Sequence, residues 1–279
     1  MSIHFENQVI VITGATGMAA ATAEHVAAAG ASVFVVSRDE DECAALCRRV
    51  SAAGGTAATA TADLRDERAT EAAFEAALAR FGRIDGLFAV AGASGRRFGD
   101  GPLHELSLEG WRQTFELNAV PTFLAAREAV RAMLATRDDT AAASDGRRGD
   151  GLGGSIVLMS SVLARHPSPE LFSTHAYAAA KGAVLALTTT LAAYYAPHAI
   201  RVNAITPSLV ATPMSARAAD DAETMAYARQ KQPLAGGMID ATDVAAAAGF
   251  LLSSAARQIT GQVLDVDGGW GVTEARRDV

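Results

Sequence analysis

The sequence predicts an α/β fold: a doubly wound parallel sheet of about seven strands in a single domain. Three observations carry this expectation. Short apolar runs rich in Val and Ile alternate with Ala-rich helical stretches from Gln8 to Asp267. Those runs are apolar almost throughout, the pattern of strands covered on both faces. A glycine turn, Gly14-Ala15-Thr16-Gly17, separates the first run from the first helical stretch. A length of 279 residues suits one large α/β domain, residues 1–279, and no linker or solenoid repeat divides it.

Residues 8–13 read as the first buried strand. Strand, glycine turn and helix (18–29, closed by Gly30) make the context that a dinucleotide-binding loop requires. Glycine lets the backbone approach a pyrophosphate, and the helix N-terminus supplies N–H donors and a positive dipole end. A tight turn without a ligand is the alternative. Residues 31–36 form the second strand, followed by Ser37 and Arg38. At this place an acid holds ribose hydroxyls, whereas an arginine accommodates a 2′-phosphate. The pair Ser37-Arg38 therefore favours NADP(H), and NAD(H) stays open because Asp39 and Glu40 lie beside the arginine.

Residues 39–53 read as a helix and 56–61 as the third strand, leaving through Ala62-Asp63-Leu64. Residues 67–81 are an amphipathic helix, with Ala73, Phe74, Ala77, Leu78 and Phe81 at helical spacing. The fourth strand, 84–90, ends in the small-residue turn Ala91-Gly92-Ala93, and a loop covers 96–102. Residues 111–136 are helical, with Asn118 inside; an asparagine there is mildly unfavourable. It is a candidate functional residue, with a solvent-facing position as the alternative. Residues 137–154 are polar, glycine-rich and aperiodic, which predicts an exposed loop inserted in the domain. The fifth strand is 155–159, with Ser160 and Ser161 at its C-terminal end, where ligands bind in open α/β sheets. A helix carrying Tyr177 and Lys181 follows, then a sixth strand at 200–206 and a loop with partial helical character at 207–221. A helix at 242–253 and a last strand at 262–267 lead into Gly268-Gly269-Trp270.

Tyr177 and Lys181 are four residues apart on a predicted helix and so share a face. A free phenol has a pKa of about 10 and is a poor base at neutral pH. A neighbouring cation lowers that pKa, making the tyrosine a usable proton donor and acceptor. The chain holds only two lysines, Lys181 and Lys231, and 4 tyrosines. Chance would supply such a pair about 0.03 times, so its context decides between chemistry and a solvated lysine.

Composition narrows the function classes. Acidic residues outnumber basic ones 31 to 24, for a net charge of −7, with no basic patch of the kind a nucleic-acid surface needs. No stretch of about 18 uninterrupted apolar residues predicts a membrane span. Residues 1–7 lack the regions of a secretory signal, which predicts a cytoplasmic protein. Cys43 and Cys47 lack nearby histidines, so free thiols and no metal site are expected.

Taken together, these motifs resemble the single-domain branch of the short-chain dehydrogenase/reductase family. The resemblance runs from about Gln8 to Trp270. It rests on the glycine turn, Asp63-Leu64, Ala91-Gly92, Asn118, Ser161, Tyr177 with Lys181, Arg201-Val202-Asn203, Pro207 and Asp267-Gly268-Gly269-Trp270, in that order. It implies a Rossmann-type sheet binding a nicotinamide dinucleotide, with hydride passing between nicotinamide and a carbonyl or alcohol carbon. By the same resemblance Tyr177 exchanges the proton, Lys181 lowers its pKa, Ser161 holds the reacting oxygen and Asn118 supports a proton relay. The implied cofactor contacts are Gly14, Thr16, Gly17, Met18, Ser37, Arg38, Asp63, Leu64, Ala91, Gly92, Tyr177, Lys181, Pro207 and Thr212. The partners implied are a small-molecule carbonyl or alcohol and further copies of the chain, as a homodimer or homotetramer.

The chain departs from the family pattern in four places. TGxxxGxG is here Thr13-Gly14-Ala15-Thr16-Gly17-Met18-Ala19-Ala20, one residue shorter. Asn-Asn-Ala-Gly is Ala89-Val90-Ala91-Gly92, and Pro-Gly is Pro207-Ser208. Ser161 lies 16 residues before Tyr177, more than is common, which leaves Ser160 as its substitute. Arg96, Phe98, His166, Phe172 and residues 208–217 are the candidate substrate contacts. Two rivals to an oxidoreductase stand: a dinucleotide-binding regulator without turnover, suited by the altered turn, and an epimerase or dehydratase, suggested by the glycine spacing.

Overall fold

The computed structural model describes residues 3–140, 153–169 and 171–274. Among them, seven strands form one sheet: β1 (Val9–Thr13), β2 (Ser32–Ser37), β3 (Thr56–Thr61), β4 (Gly86–Ala89), β5 (Gly154–Met159), β6 (Ile200–Pro207) and β7 (Val263–Val266). Their order is β3-β2-β1-β4-β5-β6-β7, and every pairing is parallel. The helices between them are α1 (Gly17–Ala28), α2 (Glu40–Ala52), α3 (Glu67–Phe81), α4 (Leu108–Thr140), α5 (Ala176–Tyr195), α6 (Ala216–Ala219), α7 (Ala222–Lys231) and α8 (Ala241–Leu252). This is the predicted Rossmann-type, doubly wound arrangement.

Successive strand residues face opposite sides, so a strand apolar throughout feeds two cores. Ile10 and Ile12, Val33 and Val35, Phe88 and Val157 pack with α1, α2 and α8. Val11, Phe34, Val36, Leu87, Ile156 and Leu158 pack on the other face with α3, α4 and α5. The chain after β3 crosses to the far side of β1, so strand order reverses between β1 and β4. The C-terminal ends of these two strands open a crevice there, the usual ligand position in such sheets.

Side-chain caps explain several boundaries. Asp39 accepts from Glu42 N at the start of α2, and Asp66 from Ala69 N at the start of α3. Gly82, in the left-handed region, closes α3.

The structure corrects four expectations. Helix α4 runs to Thr140 and β5 begins at Gly154, so both ends of the predicted 137–154 loop are regular structure; its residues 141–152 lie outside the described residues. A run of polar residues at a helix end reads like a loop in sequence. Strand β4 is shorter than predicted, and the 96–102 loop contains a 3-10 turn, Arg96–Phe98. Helix α7, capped by Asp221, was not predicted. Helix α5 extends with its following turn over Ala176–His198, long and apolar enough by composition to cross a membrane; here it packs against α4 and β6.

Candidate active site

Two adjoining cavities occupy the C-terminal edge of the sheet. One, about 410 Å³, is bordered by Gly14, Thr16, Gly17, Ser37, Arg38, Asp63, Leu64 and Ala91. The other, about 520 Å³, is bordered by Asn118, Ser161, Tyr177, Lys181 and Pro207. Met18, Gly92 and Thr212 line both. All the sequence-predicted catalytic and cofactor residues therefore meet on these two walls.

The glycine turn is held by its backbone. Gly14 N donates to Val36 O at 2.7 Å, and Gly14 and Gly17 have φ of 100° and 54°. A Cβ on Gly17 would lie 2.9 Å from Thr212 Cγ2, so the turn and the segment after β6 close on each other only with glycine there. At the end of β1, Thr13 Oγ1 accepts from Val90 N and Ala91 N at 2.9 and 3.0 Å, which fastens the β4 exit beside the turn.

Beyond the second strand, Arg38 is exposed on the wall of the smaller cavity, near Glu42. Asp63 is taken by Arg65, which the sequence reading missed. Arg65 Nη2 donates to Asp63 Oδ2 at 2.5 Å and Nε to Oδ1 at 3.0 Å. Hydrogen bonding from Arg65 holds the Asp63 carboxyl down to about 2.

On the other side, Tyr177 is half-buried near the start of α5 and Lys181 is buried one turn later. Lys181 Nζ lies 5.7 Å from the Tyr177 ring centroid and donates to Met159 O at 2.9 Å. Ser161 lines the same cavity as Tyr177, close enough to favour the ionised phenol, and its Oγ accepts from Leu163 N at 3.2 Å. Ser160, the substitute, is committed elsewhere: its Oγ donates to Lys181 O at 2.8 Å.

One expectation is reversed. Burial raises the Tyr177 pKa, opposed only by Ser161. Lys181 Nζ lies 5.7 Å from the ring centroid, and burial lowers its own pKa to about 8, so the ammonium still carries its charge at neutral pH. At neutral pH the phenol is protonated.

Asn118 is fully buried, and its side chain is a clamp. Nδ2 donates to Ala93 O and Thr114 O, both at 2.9 Å, and Oδ1 accepts from Ala93 N at 3.1 Å. Its amide is committed to backbone, so any support it gives to chemistry acts through the loop it holds. A Cβ on Gly92 would lie 2.7 Å from Asn118 Oδ1, so this loop fits only without one. Pro121, three residues on, lacks an N–H and deprives Leu117 O of its helical partner.

Helix α5 has no local N-cap; His175 at that position makes no side-chain cap bond. A distant residue supplies it. Asp100, buried, accepts from His175 N, Ala176 N and Tyr177 N, each at 2.8 Å, and from Thr174 Oγ1 at 2.5 Å. These hydrogen bonds outweigh desolvation and hold its carboxyl below the ordinary range. The sequence carries no signal for this, because Ser173 and Thr174 just before His175 read as ordinary local cap candidates.

Of the candidate substrate contacts, Arg96, Phe172, Ser208, Leu209, Met214 and Arg217 line the larger cavity. Phe98 and His166 do not: Phe98 lies under Arg97, and the His166 ring abuts Gly271. Trp270, Met159 and Leu163 also line the cavity and were not foreseen as contacts.

A family model described as enoyl-(acyl carrier protein) reductase matches residues 13–271. The chain is similar to a 2,5-dichloro-2,5-cyclohexadiene-1,4-diol dehydrogenase of Sphingobium indicum, 36% identical over 94% of this chain and 96% of the relative. It is similar also to a cis-4-hydroxycyclohexanecarboxylate dehydrogenase of Sinomonas cyclohexanicum, 35% identical over 95% of this chain and 97% of the relative. Among solved structures, that of a short-chain type dehydrogenase/reductase from Mycobacterium ulcerans matches with a TM-score of 0.85 at 31% identity, over 98% of this chain and 93% of that one.

Proposed function

The chain belongs to the short-chain dehydrogenase/reductase family, and from that premise we propose that it is an NADP(H)-dependent oxidoreductase interconverting a ring ketone and its secondary alcohol. It is an oxidoreductase with an NAD(P)-binding Rossmann fold. The observation that carries the finer reading is the meeting of Tyr177, Ser161 and Lys181 on one cavity that adjoins a second, glycine-edged cavity.

The residues fit a dinucleotide. The small-residue cradle Gly14–Gly17 stands at the α1 N-terminus, where backbone N–H groups suit a pyrophosphate. Arg38 would hold a 2′-phosphate, since Asp63 is already paired with Arg65 and leaves Arg38 unneutralised by it. Lys181 and Tyr177 would hold the nicotinamide ribose. When bound, the nicotinamide supplies or accepts the hydride.

The chain's own residues handle the proton. Tyr177, protonated at neutral pH, donates to the substrate oxygen in reduction. Ser161 donates a hydrogen bond to the same oxygen as charge develops. Lys181, carrying its charge below about 8, stabilises the phenolate left behind. A protonated tyrosine and a 2′-phosphate site both favour reduction as the working direction. The two relatives are named for six-membered-ring alcohols, which supports a carbocyclic substrate. The test is NADPH oxidation with a panel of cyclohexanones, repeated with NADH. Turnover preferring NADPH is expected; cofactor binding without turnover on any ketone would instead favour a regulator.

A further inference from the structure

The larger cavity has an unbalanced charge. The chain as a whole is acidic, yet no Asp or Glu lines this cavity, whereas Arg96, Arg97 and Arg217 do, beside Lys181. Arg96 stands on the 3-10 turn after β4, and Arg217 on α6 after β6, so two separate segments bring them to one mouth. Arg96 is fixed there: Nη2 donates to Leu171 O at 2.7 Å, and its guanidinium lies 6.0 Å from the Phe172 ring centroid.

No local acid neutralises the pair. Among the described residues, no ion pair involves Arg96, Arg97 or Arg217. Asp100, which attracts Arg96, spends its oxygens on the α5 N-terminus. Asp221, which feels Arg217, spends one on capping α7 through Thr224. Burial and the charge of Arg217 both push Arg96 below its ordinary pKa. Two guanidiniums converging without a counter-charge repel, and an anion between them turns that repulsion into charge-assisted hydrogen bonding.

We propose that the substrate carries a carboxylate, remote from its reacting carbon, held between Arg96 and Arg217. The inference rests on the oxidoreductase reading for the role of that carboxylate. Val162, Leu163, Phe172, Leu209, Met214 and Trp270 supply apolar wall for a hydrocarbon frame. A planar, singly charged carboxylate matches the guanidinium fork. The cavity of about 520 Å³ also admits the nicotinamide, which leaves room for a small ring acid.

Two measurements separate this proposal from the one it rests on. Calorimetry of the protein, with and without saturating NADPH, compares cyclohexanecarboxylate with its methyl ester. We expect the acid to bind about tenfold or more tightly than the ester, and Arg217→Gln and Arg96→Gln each to lower that ratio about tenfold. Arg217→Lys should restore part of it. Arg217 donates no hydrogen bond to any described residue, so its variant carries the test should Arg96→Gln misfold. Equal affinity for acid and ester, or an unchanged ratio in the variants, overturns the proposal. Turnover is measured separately, with 4-oxocyclohexanecarboxylate and its methyl ester. Acid-selective binding without turnover of either sinks the oxidoreductase reading and keeps the anion site. Turnover of both with equal kcat/KM sinks the anion site alone.

Discussion

Tyr177 and Lys181 titrate in opposite senses, and both shifts come from burial. Lys181 in the folded protein has a pKa depressed to about 8 from an ordinary 10.5. Between those values the unfolded chain binds more protons than the folded one, so this lysine lowers stability below about 8, and the penalty fades as pH rises toward 10.5. The same group sets a rate expectation. Ketone reduction should hold steady through neutral pH and fall above about 8, as Lys181 loses the charge that stabilises the phenolate. Lys181→Met should lower kcat and remove that break; a break persisting in the variant would assign it to another group. Asp63 has the opposite sign. Its folded pKa, about 2, lies below the ordinary carboxylate value, so its contribution is present above that value and lost as pH falls through about 2. Tyr177 with Lys181 was legible in the sequence because helical spacing alone puts them on one face. The direction of the Tyr177 shift was not, because burial depends on which elements cover the side chain. The Arg65–Asp63 pair was likewise missed, although i and i+2 in a loop exit can meet once the backbone turns.

Helix α5 carries Tyr177 and Lys181, the proposed catalytic pair, and its N-terminus is set by Asp100 from the loop after β4. Removing that carboxylate leaves three buried or half-buried N–H groups without their acceptor. We expect Asp100→Ala to destabilise by at least about 2 kcal/mol, the scale of a lost cap joined to charge-assisted hydrogen bonds. Reduced kcat should accompany it, with Asp100→Asn milder on both counts. Thermal unfolding and steady-state kinetics check this, and a variant matching wild type in both would show that α5 positions Tyr177 unaided. Gly92→Ala brings a Cβ to 2.7 Å from Asn118 Oδ1 and should displace the clamped loop and depress activity, with the fold kept. Most elements were legible because their caps and apolar runs are local: α3 and β3 match their predicted bounds. Helix α7 was missed because its cap Asp221 lies in a polar stretch. The Asp100 cap was missed because it acts across the fold, where sequence distance carries no information.

In the whole molecule, the reversal of strand order between β1 and β4 places both cavities side by side, so residues proposed to hold cofactor and substrate, far apart in sequence, share one edge. That convergence was legible, since alternating strands and helices fix where a parallel sheet opens. The charge of the substrate mouth was legible only in part: the adjacent Arg96 and Arg97 allow an anionic substrate, with solvated surface arginines as the alternative, whereas Arg217 joins them only in three dimensions. The outer faces of α4 and α5 carry Phe123 and Tyr194, 47% and 71% exposed. We expect light scattering to give a multiple of the 28.7 kDa chain mass, with Phe123→Glu lowering it; a monomer at micromolar concentration would contradict this. The most direct measurement is Tyr177→Phe beside wild type, with NADPH titrated by nicotinamide fluorescence and cyclohexanone reduction followed in the same samples. We expect unchanged NADPH affinity and a kcat/KM lower by about 10²–10⁴-fold. Reduction at the wild-type rate by the phenylalanine variant would contradict a proton passing through Tyr177.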